Sequence, residues 1–261
     1  MPIVKSEDAE IYYEVHGEGP PVVFAHGAGG NTLIWWQQIP FFAHNHKVIV
    51  FDHRGFGRSR SDTTENLASH FPDDLKAILD TVGVDRASLV CQSMGGWSGM
   101  PFTLQNPDRV SCLILSGTPG GIQTPKLRAE REKRQKQRTA NASPVGQWNA
   151  SHWALASDAF DRNPNLSFLY SQISALNPPR GDTGLNTVAI NPEQLHNYTT
   201  PTCMIIGEHD RIFPLEAMRE ISTLIPGAEF HEISNVGHSP YFESADTFNK
   251  IAGAFIAKHA S

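Results

Sequence analysis

The stretch ASLVCQSMGG, Ala87 to Gly96, decides how this 261-residue chain is read. Ala87 to Val90 is short, apolar and partly β-branched, which suits a buried strand. Met94 onward reads as helix, so Ser93 falls on the sharp turn between the two. A serine on such a turn is lifted above the sheet and left at a helix N-terminus. Unpaired backbone N–H groups there can receive a developing negative charge. The turn needs small residues two before and two after the serine, and Cys91 and Gly95 supply them. Gly96 lets the helix approach the sheet. A serine in this place also makes a good helix N-cap, so the remaining chain has to decide between nucleophile and cap.

Upstream, Ile11 to Val15 alternates as a strand, and a Gly/Pro-rich turn follows at His16 to Pro21. Val22 to Ala25 is a compact apolar strand that runs into His26-Gly27-Ala28-Gly29-Gly30-Asn31. A helix is expected next, with Trp35, Trp36 and Ile39 available for packing. Lys47 to Phe51 is a third buried strand, ending in Asp52-His53-Arg54-Gly55-Phe56-Gly57-Arg58-Ser59. Phe71, Leu75, Ile78, Leu79 and Val82 fall at helical spacing and predict an amphipathic helix over 71–82.

Downstream, Cys112 to Leu115 is a further strand. The rhythm breaks between about Gly117 and Thr200, where Pro125 to Arg138 reads as a charged helix followed by more helices and loops. It resumes with strand Cys203 to Ile206, helix Pro214 to Leu224, strand Glu229 to Ile233 and a closing helix from about Ala245 to Lys258. Short apolar strands alternating with helices imply a mostly parallel sheet covered on both faces. In such sheets chemistry gathers beyond the carboxyl ends of the strands, where His26, Asp52 and Ser93 all fall. Residues 1–119 and 201–261 therefore read as an α/β core, and 120–200 as a helical cap inserted into it.

Charged residues make up 18% of the chain and hydrophobic ones 39%, the balance of an ordinary globular protein. The net charge of −6 argues against a general affinity for nucleic acid or anionic membrane. MPIVKSEDAE lacks the apolar run of a secretory signal, and no stretch approaches 18 consecutive apolar residues. A cytoplasmic location, as a monomer or homodimer, is the expectation. Cys91, Cys112 and Cys203 all lie in apolar strand-like runs, which fits buried thiols and not a disulfide framework.

A serine nucleophile needs a base, a group to orient that base, and two donors aimed at the oxyanion. Asp210, in Gly207-Glu208-His209-Asp210-Arg211, and His238, in Asn235-Val236-Gly237-His238-Ser239-Pro240, stand at strand exits able to supply the first two. Five stretches then carry a resemblance: Val22 to Asn31, FDHRGFGRS at Phe51 to Ser59, SMGG at Ser93 to Gly96, GEHDRIFP at Gly207 to Pro214, and GHSPYFE at Gly237 to Glu243. In this order they resemble the cap-bearing, serine-nucleophile α/β-hydrolases, over about Ile11 to Lys258. The resemblance implies an α/β-hydrolase fold with its helical cap after the sixth strand. It also implies Ser93 as nucleophile, His238 as general acid/base, Asp210 as its orienting carboxylate, and the backbone N–H groups of Ala28 and Met94 as oxyanion hole. It needs no cofactor and no metal. Asp52 and Arg54 match a segment that braces the loops.

Two features depart from that pattern. The elbow opens with Cys91 where glycine is usual, and Pro101 stands where the helix after Ser93 should continue, so a kink or an early break is expected. His26 is expected to brace its turn, His209 to be loop structure, and His44-x-His46 to be no metal site. The seven positive charges of Lys126 to Arg138 read as a solvated face of the cap. Trp148, Trp153, Phe160, Phe168 and Tyr170 fit either an acyl pocket or the cap's own core. The N-x-S/T triplets at Asn141, Asn149, Asn165 and Asn197 carry little without a secretory signal.

The function that follows is hydrolysis of a small-molecule carboxylic ester, with a small to medium, uncharged acyl group, through an acyl-serine. Carbon–carbon bond hydrolases of aromatic degradation and enol-lactonases share the same elbow and loop. The former often carry Trp directly after the histidine, where this chain has Ser239-Pro240. A slow-turnover small-molecule sensor is the reading from another class.

Overall fold

The apolar runs assemble into one sheet in the computed structural model, which describes residues 2–140, 153–179 and 182–259. The strands are β1 (Ile3–Ser6), β2 (Ala9–His16), β3 (Pro21–Ala25), β4 (Lys47–Phe51), β5 (Arg60–Ser61), β6 (Ala87–Gln92), β7 (Val110–Ser116), β8 (Thr202–Gly207) and β9 (Glu229–Ile233). Their order is β1-β2-β4-β3-β6-β7-β8-β9, with the two-residue β5 beside β2. The pairings from β4 through β9 are parallel, and only those of β2 with β1, β4 and β5 are antiparallel. The expected mostly parallel sheet is therefore present.

Alternating side chains of each central strand feed opposite cores, as the two-residue period of a strand requires. Val23 and Ala25 of β3, Leu89 and Cys91 of β6, and Met204 and Ile206 of β8 share one core. Val22, Phe24, Val90, Cys203 and Ile205 share the other. Burial on both faces explains why these strands read as unbroken apolar runs. The first core is closed by α2 (Phe71–Thr81), α3 (Gly96–Gln105) and α7 (Leu215–Leu224), following the short α1 (Ile39–Phe42). The opposite core is closed by α1, by the single turn α8 (Pro240–Glu243) and by α9 (Ala245–His259).

Between β7 and β8 lie α4 (Pro125–Ala140), α5 (Ala159–Arg162) and α6 (Pro164–Ala175). This stretch adds no strand to the sheet among its described residues. An isolated bridge pairs Ile122 with Ile190, and the Trp97 Nε1–H of α3 donates to the carbonyls of Leu185 (2.9 Å) and Val188 (3.1 Å). Trp148, Asn141 and Asn149 lie outside the described residues. The excursion leaves the sheet after β7, the sixth strand of the eight-strand path.

Local differences from the sequence reading have physical reasons. The strand Ile3–Ser6 and the pair Arg60–Ser61 are too short to show a pattern. The helix expected after Asn31 is a 3-10 turn, Thr32–Trp35, followed by the single turn of α1. Asn31 starts that turn by accepting the Leu33 N–H at 3.1 Å. Trp35 is buried, whereas Trp36 is exposed. Pro101 does not break α3, which continues to Gln105, and the whole of its packing face from Gly96 to Thr103 is buried. Tertiary burial overrides the intrinsic cost of proline there.

Candidate active site

Ser93 follows the carboxyl end of β6 and has φ +47°, a left-handed conformation that costs a non-glycine residue on the order of 1–3 kcal/mol. It persists because its neighbours leave no alternative. A Cβ on Gly95 would overlap the Ala25 carbonyl of β3, and one on Gly27 would overlap Gln92 Oε1 and stand 2.9 Å from Ser93 Cβ. The elbow and the loop after β3 are therefore in van der Waals contact, which brings the segments holding Met94 and Ala28 together. Cys91 packs against Gly99 of α3, where a Cβ would overlap its Sγ, so the cysteine fits the turn that glycine usually opens. Burial pushes the Cys91 thiol up, and the Cys112 thiol up to about 11. A protonated buried thiol is a poor second nucleophile.

Asp210, at the exit of β8, is fixed by its own turn. Its Oδ1 accepts the N–H groups of Ile212 (2.7 Å) and Phe213 (2.8 Å), and its Oδ2 lies 2.8 Å from His238 Nδ1. A carboxylate only accepts, so Nδ1 carries the hydrogen and Nε2 keeps its lone pair. His238 is 2% exposed, and its Nε2 is buried with no hydrogen-bond partner. The rest of the ring is held closely. Phe213 packs on it with 5.7 Å between ring centres, and a Cβ on Gly117 (φ +56°) would approach Nδ1 to 3.1 Å. Gln92 Nε2 donates to the His238 carbonyl at 3.3 Å, linking the residue before Ser93 to the histidine loop.

The bracing residues behave as their sequence segments imply. His26 spends Nδ1 on the Gly27 carbonyl (2.8 Å), while its Nε2 accepts the His53 N–H (3.0 Å). Asp52 accepts the N–H groups of Thr32 (2.6 Å) and Arg58 (2.8 Å). Arg54 is fully buried and forks onto Asp74 at 2.8 and 2.6 Å, with Asp8 at 3.1 Å. His209 is half exposed on its loop. His46 Nδ1 turns to the Phe42 carbonyl at 3.3 Å. Among the described residues no three His, Cys, Asp or Glu side chains gather where a metal could be held.

Two residues of the inserted segment reach the site: Tyr170, one of the aromatic residues open between pocket and cap core, and Asn177, which carried no sequence signal. Tyr170 of α6 is buried, with its hydroxyl 2.8 Å from where a Gly29 Cβ would stand, and its ring meets Phe242 edge-on at 5.0 Å. Asn177 donates to the Gly30 carbonyl (3.1 Å) and accepts the Gly57 N–H (3.0 Å). Of the aromatic residues left open between pocket and cap core, Phe168 is exposed and Trp153 lies under Arg211 at 5.0 Å. The charged helix corrects its reading in part. Arg134 of α4 donates to the Asp210 carbonyl at 2.8 Å, and the partly buried Arg131 lies over Phe213 at 5.5 Å, so α4 turns two cations toward the acid loop. Lys126, Arg128 and Lys133 stay exposed.

Comparison with known proteins bears on the fold that carries this site. The family model described as alpha/beta hydrolase fold matches residues 20–245. A 2-hydroxy-6-oxo-6-phenylhexa-2,4-dienoate hydrolase of Comamonas testosteroni is 29% identical over 95% of this chain and 92% of its own length. Among solved structures, a thermophilic esterase from Thermogutta terrifontis shares the fold over 100% of this chain and 99% of its own, with TM-score 0.84 and 23% identity. Est816, described as an N-acyl homoserine lactone degrading enzyme, superposes with TM-score 0.75 at 28% identity, covering 97% of this chain and all of that one. No helix among the described residues is long and apolar enough to cross a membrane. With the matched model spanning most of the chain and the fold in agreement, the protein belongs to the alpha/beta hydrolase fold family and is a hydrolase.

Proposed function

We propose that the protein hydrolyses carboxylic esters of small to medium acyl groups through an acyl-serine intermediate. The observation that carries this reading is the buried His238, held through Nδ1 by Asp210 and keeping Nε2 without a partner, in the same loop cluster as the strained Ser93. In the proposed reaction Ser93 Oγ attacks the carbonyl carbon as His238 Nε2 takes its proton. The oxyanion is received by the main-chain N–H groups of Ala28 and Met94, each worth ~3 kcal/mol of transition-state stabilisation. Collapse of the tetrahedral intermediate passes the proton to the leaving alcohol. Water deprotonated by His238 then attacks the acyl-serine and releases the acid and free Ser93. Asp210 stays ionised and stabilises the imidazolium in both halves.

Residues 120–200 serve in this reading as the cap over the site. Support comes from the contacts of Tyr170, Asn177 and Arg134 with the loops after β3, β4 and β8. Hydrolysis of a carbon–carbon bond is the second reading, favoured by the near full-length likeness to the Comamonas testosteroni hydrolase. Ser239-Pro240 after His238 favours the ester. A panel of p-nitrophenyl esters from acetate to laurate, run beside 2-hydroxy-6-oxo-6-phenylhexa-2,4-dienoate, separates the two. The account expects turnover of the shorter esters above that of the dienoate. Turnover of the dienoate alone, by folded protein, would reverse the order.

A further inference from the structure

The loops carrying Asp210 and His238 are tied to each other, and also to the same two residues of the inserted segment. Arg211, next to Asp210, donates from Nη2 (3.1 Å) and Nε (3.3 Å) to the Leu155 carbonyl. Glu243, five residues after His238, divides its carboxylate. Oε1 accepts the Gly237 N–H at 2.8 Å, directly before the histidine, and Oε2 accepts the Ala156 N–H at 3.0 Å. The contact is close as well as polar, because a Cβ on Gly237 would overlap Ala156 N and the Leu155 carbonyl carbon. The Glu243 side chain is only 4% exposed, and Arg162 approaches Oε2 at 3.6 Å.

We propose that Glu243 is a positioning residue: a two-armed clamp that docks Leu155–Ala156 onto the histidine loop and thereby sets the orientation of His238 toward Asp210 and Ser93. The proposal rests on the roles given above to His238 and Ser93. A carboxylate buried this deeply is costly unless its oxygens are engaged, and both arms reach main-chain donors. One arm fixes the peptide that leads into His238. The other makes that peptide's position depend on whether the inserted segment is seated. Arg211 applies the same dependence to the acid loop, so the two partners of the Nδ1–Oδ2 hydrogen bond share one external reference. A displacement of the imidazole by a fraction of an ångström is enough to slow proton transfer, and about 1 Å costs on the order of 10²-fold.

The test uses Glu243→Gln and Ala156→Pro in the full chain. Glutamine keeps one acceptor and turns an N–H₂ toward a donor. Proline removes the Ala156 donor without changing any residue of the histidine loop, and sets its ring Cδ against Glu243 Oε2 and Gly237. Expected for Glu243→Gln is a loss of kcat between about tenfold and a hundredfold with little change in KM. The low-field Nδ1–H proton resonance of His238, assigned by its absence from His238→Gln, should move or broaden. The double variant should fall no further than the worse single one, because proline removes the donor that opposes the amide. Wild-type kcat with an unmoved resonance in Glu243→Gln would overturn the clamp, as would losses that multiply in the double variant. Should Glu243→Gln not fold, Ala156→Pro decides by the same two readouts. The resonance needs no substrate, so a protein that cleaves no ester yet shifts this proton would retain the clamp and lose the ester reading.

Discussion

His53 and His238 are both buried, both lie in loops at the carboxyl edge of the sheet, and both leave one ring nitrogen without a partner. Their surroundings differ in one respect that decides their chemistry. His53 sits among Phe51 (4.8 Å between ring centres), Phe71 (4.6 Å) and the ring of His26 (4.5 Å), and its Nε2 meets only the Ser98 hydroxyl at 2.8 Å. Burial, with the adjacent His26 adding to it, holds its pKa well below the usual histidine range. His238 has the Asp210 carboxylate at 2.8 Å. An imidazolium would be a bare buried charge at the first position and half of an ion pair at the second. In the proposed reading, residue type and depth of burial do not mark the base; the partner on the far nitrogen does.

Glutamine at each position separates the two histidines. His238→Gln should lower kcat for a short p-nitrophenyl ester by about 10⁴-fold or more while leaving the thermal midpoint nearly in place. His53→Gln should do the reverse, keeping kcat near wild type and losing stability. A wild-type rate in His238→Gln would end the contrast. Asp210→Asn comes next, with an expected loss of about 10⁴-fold in kcat, because an amide can hold the ring in the wrong tautomer. A loss of only a few fold would mean that the carboxylate is not what distinguishes the two histidines.

A second buried charge, one residue from His53, sharpens the point from the structural side. Arg54 has no exposed side-chain surface and is met by Asp74 and Asp8. Arg54→Met should cost about 3–5 kcal/mol of unfolding free energy in urea titrations, since it strands a buried Asp74. The kcat of the protein that remains folded should change little. The smallest effect is a slope. Because the folded pKa of His53 is depressed, the unfolded chain takes up a proton below about pH 6.5 that the folded chain does not. This group therefore contributes nothing adverse above that value and removes about 1.4 kcal/mol per pH unit below it. Urea titrations at pH 7, 6 and 5 should show that component of the slope in wild type and its loss in His53→Gln.

The core and its candidate site were legible because each feature is local. Val22 to Ala25, Lys47 to Phe51 and Ala87 to Val90 are continuous apolar runs because both faces of the sheet are covered, and each ends in a loop whose small residues mark a tight turn. Asp210 and His238 could be read in the same way, from strand exits. What the sequence does not disclose is long-range. Glu243 meets Ala156 across 87 positions, and Gln92 meets His238 across 146. Tyr170 reaches Gly29 from a helix with no motif of its own. The arginines of α4 look like any solvated charge run until α4 is docked beside Asp210. Pro101 was legible as a residue but not in its consequence, because the burial that retains α3 comes from elements distant in the chain.

The most direct test of the serine account is intact-mass and peptide mapping after rapid mixing with a slowly deacylated p-nitrophenyl ester. The account predicts one acyl group per chain, on the peptide containing Ser93, and neither adduct nor turnover in Ser93→Ala. Turnover that survives Ser93→Ala, or an acyl group on another residue, would contradict it.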